Sequence, residues 1–110
     1  MDSISKSLMV DMLHKYGEDS QIDVAIEEMS ELTKELLKYR RTKIHAQEKI
    51  DLQNVFWEIA DVTIMLEYLK IIFNLNEVML QNMVGMKLER TRRRYLDDVN
   101  NEENNNQKDN

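Results

Sequence analysis

The sequence predicts an all-α fold: an antiparallel helical bundle of about four helices, completed by dimerisation. Three observations carry that prediction. The chain has no proline and only two glycines, Gly17 and Gly85, so the residues that usually break helices and make turns are nearly absent. Its apolar side chains recur at three- and four-residue spacing rather than alternating. With 110 residues, one core is adequate but modest, and a second copy adds useful burial.

The first helix is expected over about Ser5 to Tyr16, where Leu8, Met9, Met12 and Leu13 share a face and Gly17 supplies a C-terminal stop. A second is expected from about Ser20 to Tyr39. Ser20 with Asp23 three residues on resembles a capping arrangement, and Ile22, Ala25, Met29, Leu32 and Leu36 form the stripe. The segment from Arg40 to Lys49 is polar and reads as an exposed connection. The third helix runs from an Asp51 cap to about Phe73 through Val55, Val62, Met65, Leu66, Leu69 and Ile72. Asn74 or Asn76 ends it and caps the fourth, which runs from Glu77 to about Leu96. Residues 1–98 thus form one helical domain, and 99–110, polar and without periodicity, are expected to be a disordered tail.

Composition excludes several classes. Without cysteine there is neither a disulfide framework nor a thiolate metal site, and the N-terminus lacks the succession of a secretory signal. The expected location is cytoplasmic. The most apolar stretch, from Ile59 to Leu75, is interrupted by Asp61, Glu67 and Lys70, so no membrane partner is expected. A net charge of −6 argues against nonspecific nucleic-acid binding, which depends on cations neutralising phosphates. His14 and His45 stand alone and read as surface residues. The eight methionines recur at helical spacing and read as adaptable packing.

The carboxylates are the anomaly. At about 100° per residue, Glu58 falls in the middle of the stripe of Val62, Met65, Leu69 and Ile72, with Asp61 on its edge. On the second helix Glu28, Glu31 and Glu35 share an edge beside Ala25 and Leu32. Unpaired buried carboxylates cost several kcal/mol each, to order of magnitude, and clustered ones repel. A hard divalent cation would offset both costs. An all-oxygen donor set with no cysteine suits magnesium, with manganese as the alternative. The bland alternative is a solvated acidic helix edge.

These same residues carry a resemblance. Glu27-Glu28-Met29-Ser30-Glu31-Leu32 resembles the E-E-x-x-E-L segment of MazG-like nucleotide pyrophosphohydrolases, and Glu58-Ile59-Ala60-Asp61-Val62 resembles their E-L-A-D-V segment. Lys87 to Arg94 is similar to their K-x-x-x-N-x-x-R element, with Thr91 in the asparagine's place. The likeness spans about Gln21 to Tyr95. It implies magnesium-dependent hydrolysis of a (deoxy)nucleoside triphosphate to the monophosphate and pyrophosphate, serving house-cleaning or pool control. It also implies Glu28, Glu31, Glu58 and Asp61 as metal ligands, and nucleotide contact at Lys87, Thr91 and Arg94.

The chemistry needs charge neutralisation, an in-line water and a proton acceptor. Glu28 or Glu31, or Glu35 or Glu27 beside them, would take the proton. Lys87 and Arg94, seven residues apart on nearly one face, would hold phosphates, with Lys34 and Lys38 as further candidates and Trp57 as a surface for the base. Two alternatives remain: a phosphoribosyl-ATP or dUTP/dCTP pyrophosphohydrolase of the same superfamily, and a non-catalytic helical adaptor whose acids only solubilise it.

Overall fold

A computed structural model describes residues 1–45 and 51–108. It contains four helices in the order α1 (Ser3–Tyr16), α2 (Glu18–His45), α3 (Gln53–Ile72) and α4 (Glu77–Lys108), with no strand among the described residues. They fall into two compact units, Met1–Asn74 with α1 to α3 and Leu75–Asn110 with α4.

Local chemistry sets the helix ends. Asp2 caps α1 by accepting a 2.7 Å hydrogen bond from the Ser5 amide, which holds its carboxyl below the usual range. Gly17, at φ 87°, closes the helix with its N–H on the Leu13 carbonyl. That backbone conformation suits a residue without a Cβ. The turn is so tight that α2 begins at once at Glu18, where Glu18 and Asp19 favour the helix dipole. Ser20 therefore lies inside the first turn and is not the cap expected of it.

The helix also runs past Tyr39 to His45, because Arg40, Arg41 and Lys43 are good helix formers and nothing there interrupts it. Only the first part of the expected connection is thereby replaced, since residues 46–50 lie outside the described residues. The N-cap of α3 is Leu52, which makes no side-chain cap bond, one residue later than the expected Asp51; Asp51 still accepts from the Gln53 amide at 2.9 Å. The two asparagines divide the work after it. Asn74 turns the chain at φ 54°, and Asn76 caps α4 by accepting from the Met79 amide at 2.9 Å.

Beyond Leu96 the structure differs from the expected disordered tail, for α4 continues to Lys108. No glycine or proline follows Gly85, and extending a helix already formed gains one backbone hydrogen bond for each residue fixed.

The core of the first unit is small. Met9 of α1, Ala25 of α2, and Met65 and Tyr68 of α3 are buried together, with Met12, Leu13, Val24, Leu69 and Ile71 packed against them. Ala25 meets the level of Met65, Glu28 meets Glu58 and Asp61, and Glu35 to Thr42 lie beside Asp51 to Val55. Residue numbers rise on one helix as they fall on the other, so α2 and α3 run antiparallel. In the second unit, α4 buries none of its described residues. Leu8, Met29, Leu36 and Leu66, expected in the core, are exposed. Within the described residues, no helix is long and apolar enough to cross a membrane.

Ala25, 2% exposed, sets the approach of the helices. Ala25→Leu should destabilise the chain by about 1–3 kcal/mol through overpacking, and Met65→Ala by about 2–5 kcal/mol through the cavity it leaves. Urea denaturation of both variants measures this; wild-type stability in either would contradict the assigned core.

Candidate metal centre

Two turns of helix bring the acids together. On α3, Glu58 and Asp61 are three residues apart and project to the side that faces α2, in register with Glu28 there. Each of the three offers one carboxylate oxygen, and these oxygens lie within 4.8 Å of one another. All three residues are half-buried. One Glu58 oxygen, Oε2, is buried with no hydrogen-bond partner.

The electrostatics run one way. Burial, followed by the charges of Asp61 and Glu58, pushes the Glu28 carboxyl above its ordinary range. Ion pairs among the described residues involve other groups: Lys34 with Glu31, Lys70 with Glu67, and Arg92 and Arg93 with Glu89. The triad thus has carboxylate oxygens and no cationic side chain on them. Oxygens on opposite sides of Mg2+ stand about 4.2 Å apart, and of Ca2+ about 5 Å. Three carboxylate oxygens at this separation could hold a hard divalent ion.

The other expected site residues are placed as follows. Glu31, one turn beyond Glu28, is exposed and pairs with Lys34 at 3.2 Å; Glu27 is also exposed. Glu35 is half-buried and lines a polar groove with Lys38. Trp57 is 68% exposed and stands about 100° around α3 from Glu58. In the second unit, Lys87, Thr91 and Arg94 line one face of α4 together with Arg90, and the Thr91 hydroxyl donates to the Lys87 carbonyl at 3.0 Å. His14 is exposed, whereas the side chain of His45 lies outside the described residues.

The sequence reading missed the groove beside Glu35, to which Tyr39, Thr42, Asp51 and Asn54 contribute. Its signal was hidden because Arg40 onward read as a connection. It also missed how Glu89 binds two of the arginines, at 3.0 Å to Arg92 and 3.4 Å to Arg93. Their spacings of three and four residues were the available clue.

Comparison of the chain with protein-family models, curated proteins and solved structures gives no match.

A raised carboxyl pKa has a definite sign for stability. The folded state holds the Glu28 proton more tightly than the unfolded chain does, so its contribution is lost as pH rises from the ordinary glutamate range through the raised folded value. In metal-free buffer, the gap in melting temperature between Glu28→Gln and wild type should therefore widen in the variant's favour as pH rises across that window. A gap that stays constant with pH, or closes, would contradict the assignment.

Proposed function

We propose that the chain is a magnesium-dependent nucleotide pyrophosphohydrolase of the MazG type, splitting (deoxy)nucleoside triphosphates into monophosphate and pyrophosphate. The convergence of Glu28, Glu58 and Asp61, with an orphaned Glu58 oxygen among them, carries this reading. A solvated acidic edge would leave its carboxylates apart and hydrated. Here they are gathered between two helices, at a cost that a bound cation offsets.

Glu28, Glu58 and Asp61 would hold the metal, and Glu31 joins them if its side chain leaves Lys34 and turns inward. Bound Mg2+, or Mn2+, would neutralise phosphate charge and make water more acidic. Water attacks one phosphorus, a new P–O bond forms there, the bridging P–O bond breaks, and pyrophosphate leaves with that bond's electron pair. The water's proton goes to a carboxylate. Glu31, one turn beyond Glu28, would take it once its side chain leaves Lys34; Glu35, half-buried two turns beyond Glu28, stands farther from the attacked phosphorus. Lys87 and Arg94, on one face of α4, are the cations that the resemblance selects for the phosphates.

Self-association belongs to the same reading. Phe56, Trp57, Ile59, Ile64 and Leu66 are exposed on α3, while Met65 and Tyr68 are buried. A helix apolar all round calls for cover on more than one side, and a second copy supplies it as a homodimer or homotetramer.

Pyrophosphate release from a panel of ribo- and deoxyribonucleoside triphosphates, with phosphoribosyl-ATP included, tests the proposal. Release should require Mg2+ or Mn2+ and fall by at least about a hundredfold in Glu58→Gln, as loss of a metal-dependent electrostatic contribution implies. Release that is metal-independent or unchanged in the variant would overturn it, and an absence of release from every nucleotide would favour the adaptor.

A further inference from the structure

The groove between the C-terminal half of α2 and the start of α3 lies apart from the acid triad, and all of its lining side chains except Val55 are polar. Glu35, Lys38, Tyr39, Thr42, Asp51 and Asn54 surround a cavity of about 220 Å3. We propose that it holds the nucleoside part of the substrate, with Asn54 reading the sugar and Thr42 and Tyr39 reading the base. The inference rests on the hydrolase reading and adds its specificity determinants.

Four observations lead there. The first is position along the helices. Asn54 lies four residues before Glu58, about 6 Å of helix rise, and Glu35 lies seven beyond Glu28, about 10.5 Å. The cavity therefore opens one to two helical turns from the acid triad, along the same interhelical groove, which is the reach of a nucleoside from its 5′-phosphates.

Charge is the second. Two carboxylates, Glu35 and Asp51, face one lysine, Lys38, so the cavity repels phosphate and favours a neutral, hydrogen-bonding group. Sugars and bases are such groups.

The third is size. At about 220 Å3 the cavity falls below the roughly 300–1,000 Å3 of pockets that bury a whole drug-sized ligand. It suits a fragment whose other end is held elsewhere, as a nucleotide's phosphates would be.

The fourth is uncommitted hydrogen-bonding capacity. Thr33, Thr63 and Thr91 each turn their hydroxyls back onto the carbonyl four residues earlier. Thr42 makes no such bond among the described residues, and the side chains of Tyr39 and Asn54 likewise take no partner there. Antiparallel register orders these groups along the groove. Asn54 and Glu35 stand at the end nearer the triad, where a sugar would lie, and Thr42 stands farther out with Tyr39, at the place of a base. Trp57, 68% exposed, does not line this pocket.

The test is titration calorimetry of the Mg2+-loaded full chain with the four ribo- and four deoxyribonucleoside 5′-monophosphates and with inorganic pyrophosphate. Asn54→Ala should weaken the tightest nucleotide about tenfold and change the ribo-to-deoxy ratio, and Thr42→Val should change the ranking among bases by a similar factor. Tenfold is ~1.4 kcal/mol, the scale of one hydrogen bond. Pyrophosphate affinity and melting temperature should stay at wild-type values in both variants. Unchanged nucleotide binding in both, an equal loss for pyrophosphate, or a wild type that binds no nucleotide would each overturn the pocket. Nucleotide binding that shows these losses in a chain releasing no pyrophosphate on turnover would refute the hydrolase and leave the pocket standing.

Discussion

The close approach of α2 to α3 at Ala25 governs the first unit. A methyl side chain at that point lets Met65 and Tyr68 come down onto α2, with Met9 of α1 completing the cluster. Because the helices run antiparallel, this one contact fixes the register along their length. One turn beyond Ala25, Glu28 must then face the turn of α3 that carries Asp61 and Glu58. Two turns beyond Glu28, Glu35 must face Asn54. The acid triad and the polar groove are consequences of where the apolar contact sits.

That geometry works against stability when no cation is present. Packing carries three carboxylates into a half-buried groove, where one Glu58 oxygen loses water without gaining a partner and Glu28 holds its proton more tightly than usual. A modest core has little surplus to spend on such an arrangement. Several charges among the described residues are settled locally: Glu31 with Lys34, Glu67 with Lys70, and Glu89 with Arg92 and Arg93 lie within single helices. The triad stands out against that habit, and a bound divalent ion would turn the local penalty into a net attraction.

Much of this was legible in the residues. The absence of proline and the spacing of apolar side chains gave the four helices, while Gly17 and Asn76 marked ends that the hydrogen bonds confirm and Asp51 fell one residue before the cap of α3. Glu58 and Asp61 were readable because an acid inside an apolar stripe breaks a pattern, and Glu28 because it shares the spacing of a matching pair. What escaped notice depended on partners rather than patterns. Glu31 and Glu28 are alike in sequence, but Glu28 is half-buried against Glu58 and Asp61 while Glu31 is exposed and paired with Lys34. The groove at Thr42 and Asn54 was invisible because a charged helical stretch and a loop have the same composition. Continuation of α4 to Lys108 escaped for a related reason, since an exposed helix needs no apolar face to persist once formed.

Thermal unfolding in Mg2+, against potassium chloride of equal ionic strength, compares wild type with Glu58→Gln most tellingly. Wild type should gain several degrees from Mg2+ and not from potassium, as mass action on a folded-state site requires, whereas Glu58→Gln should be at least as stable as wild type without metal and gain nothing from it. A wild type indifferent to Mg2+, or a metal-free variant less stable than wild type, would contradict a cation site at Glu28, Glu58 and Asp61.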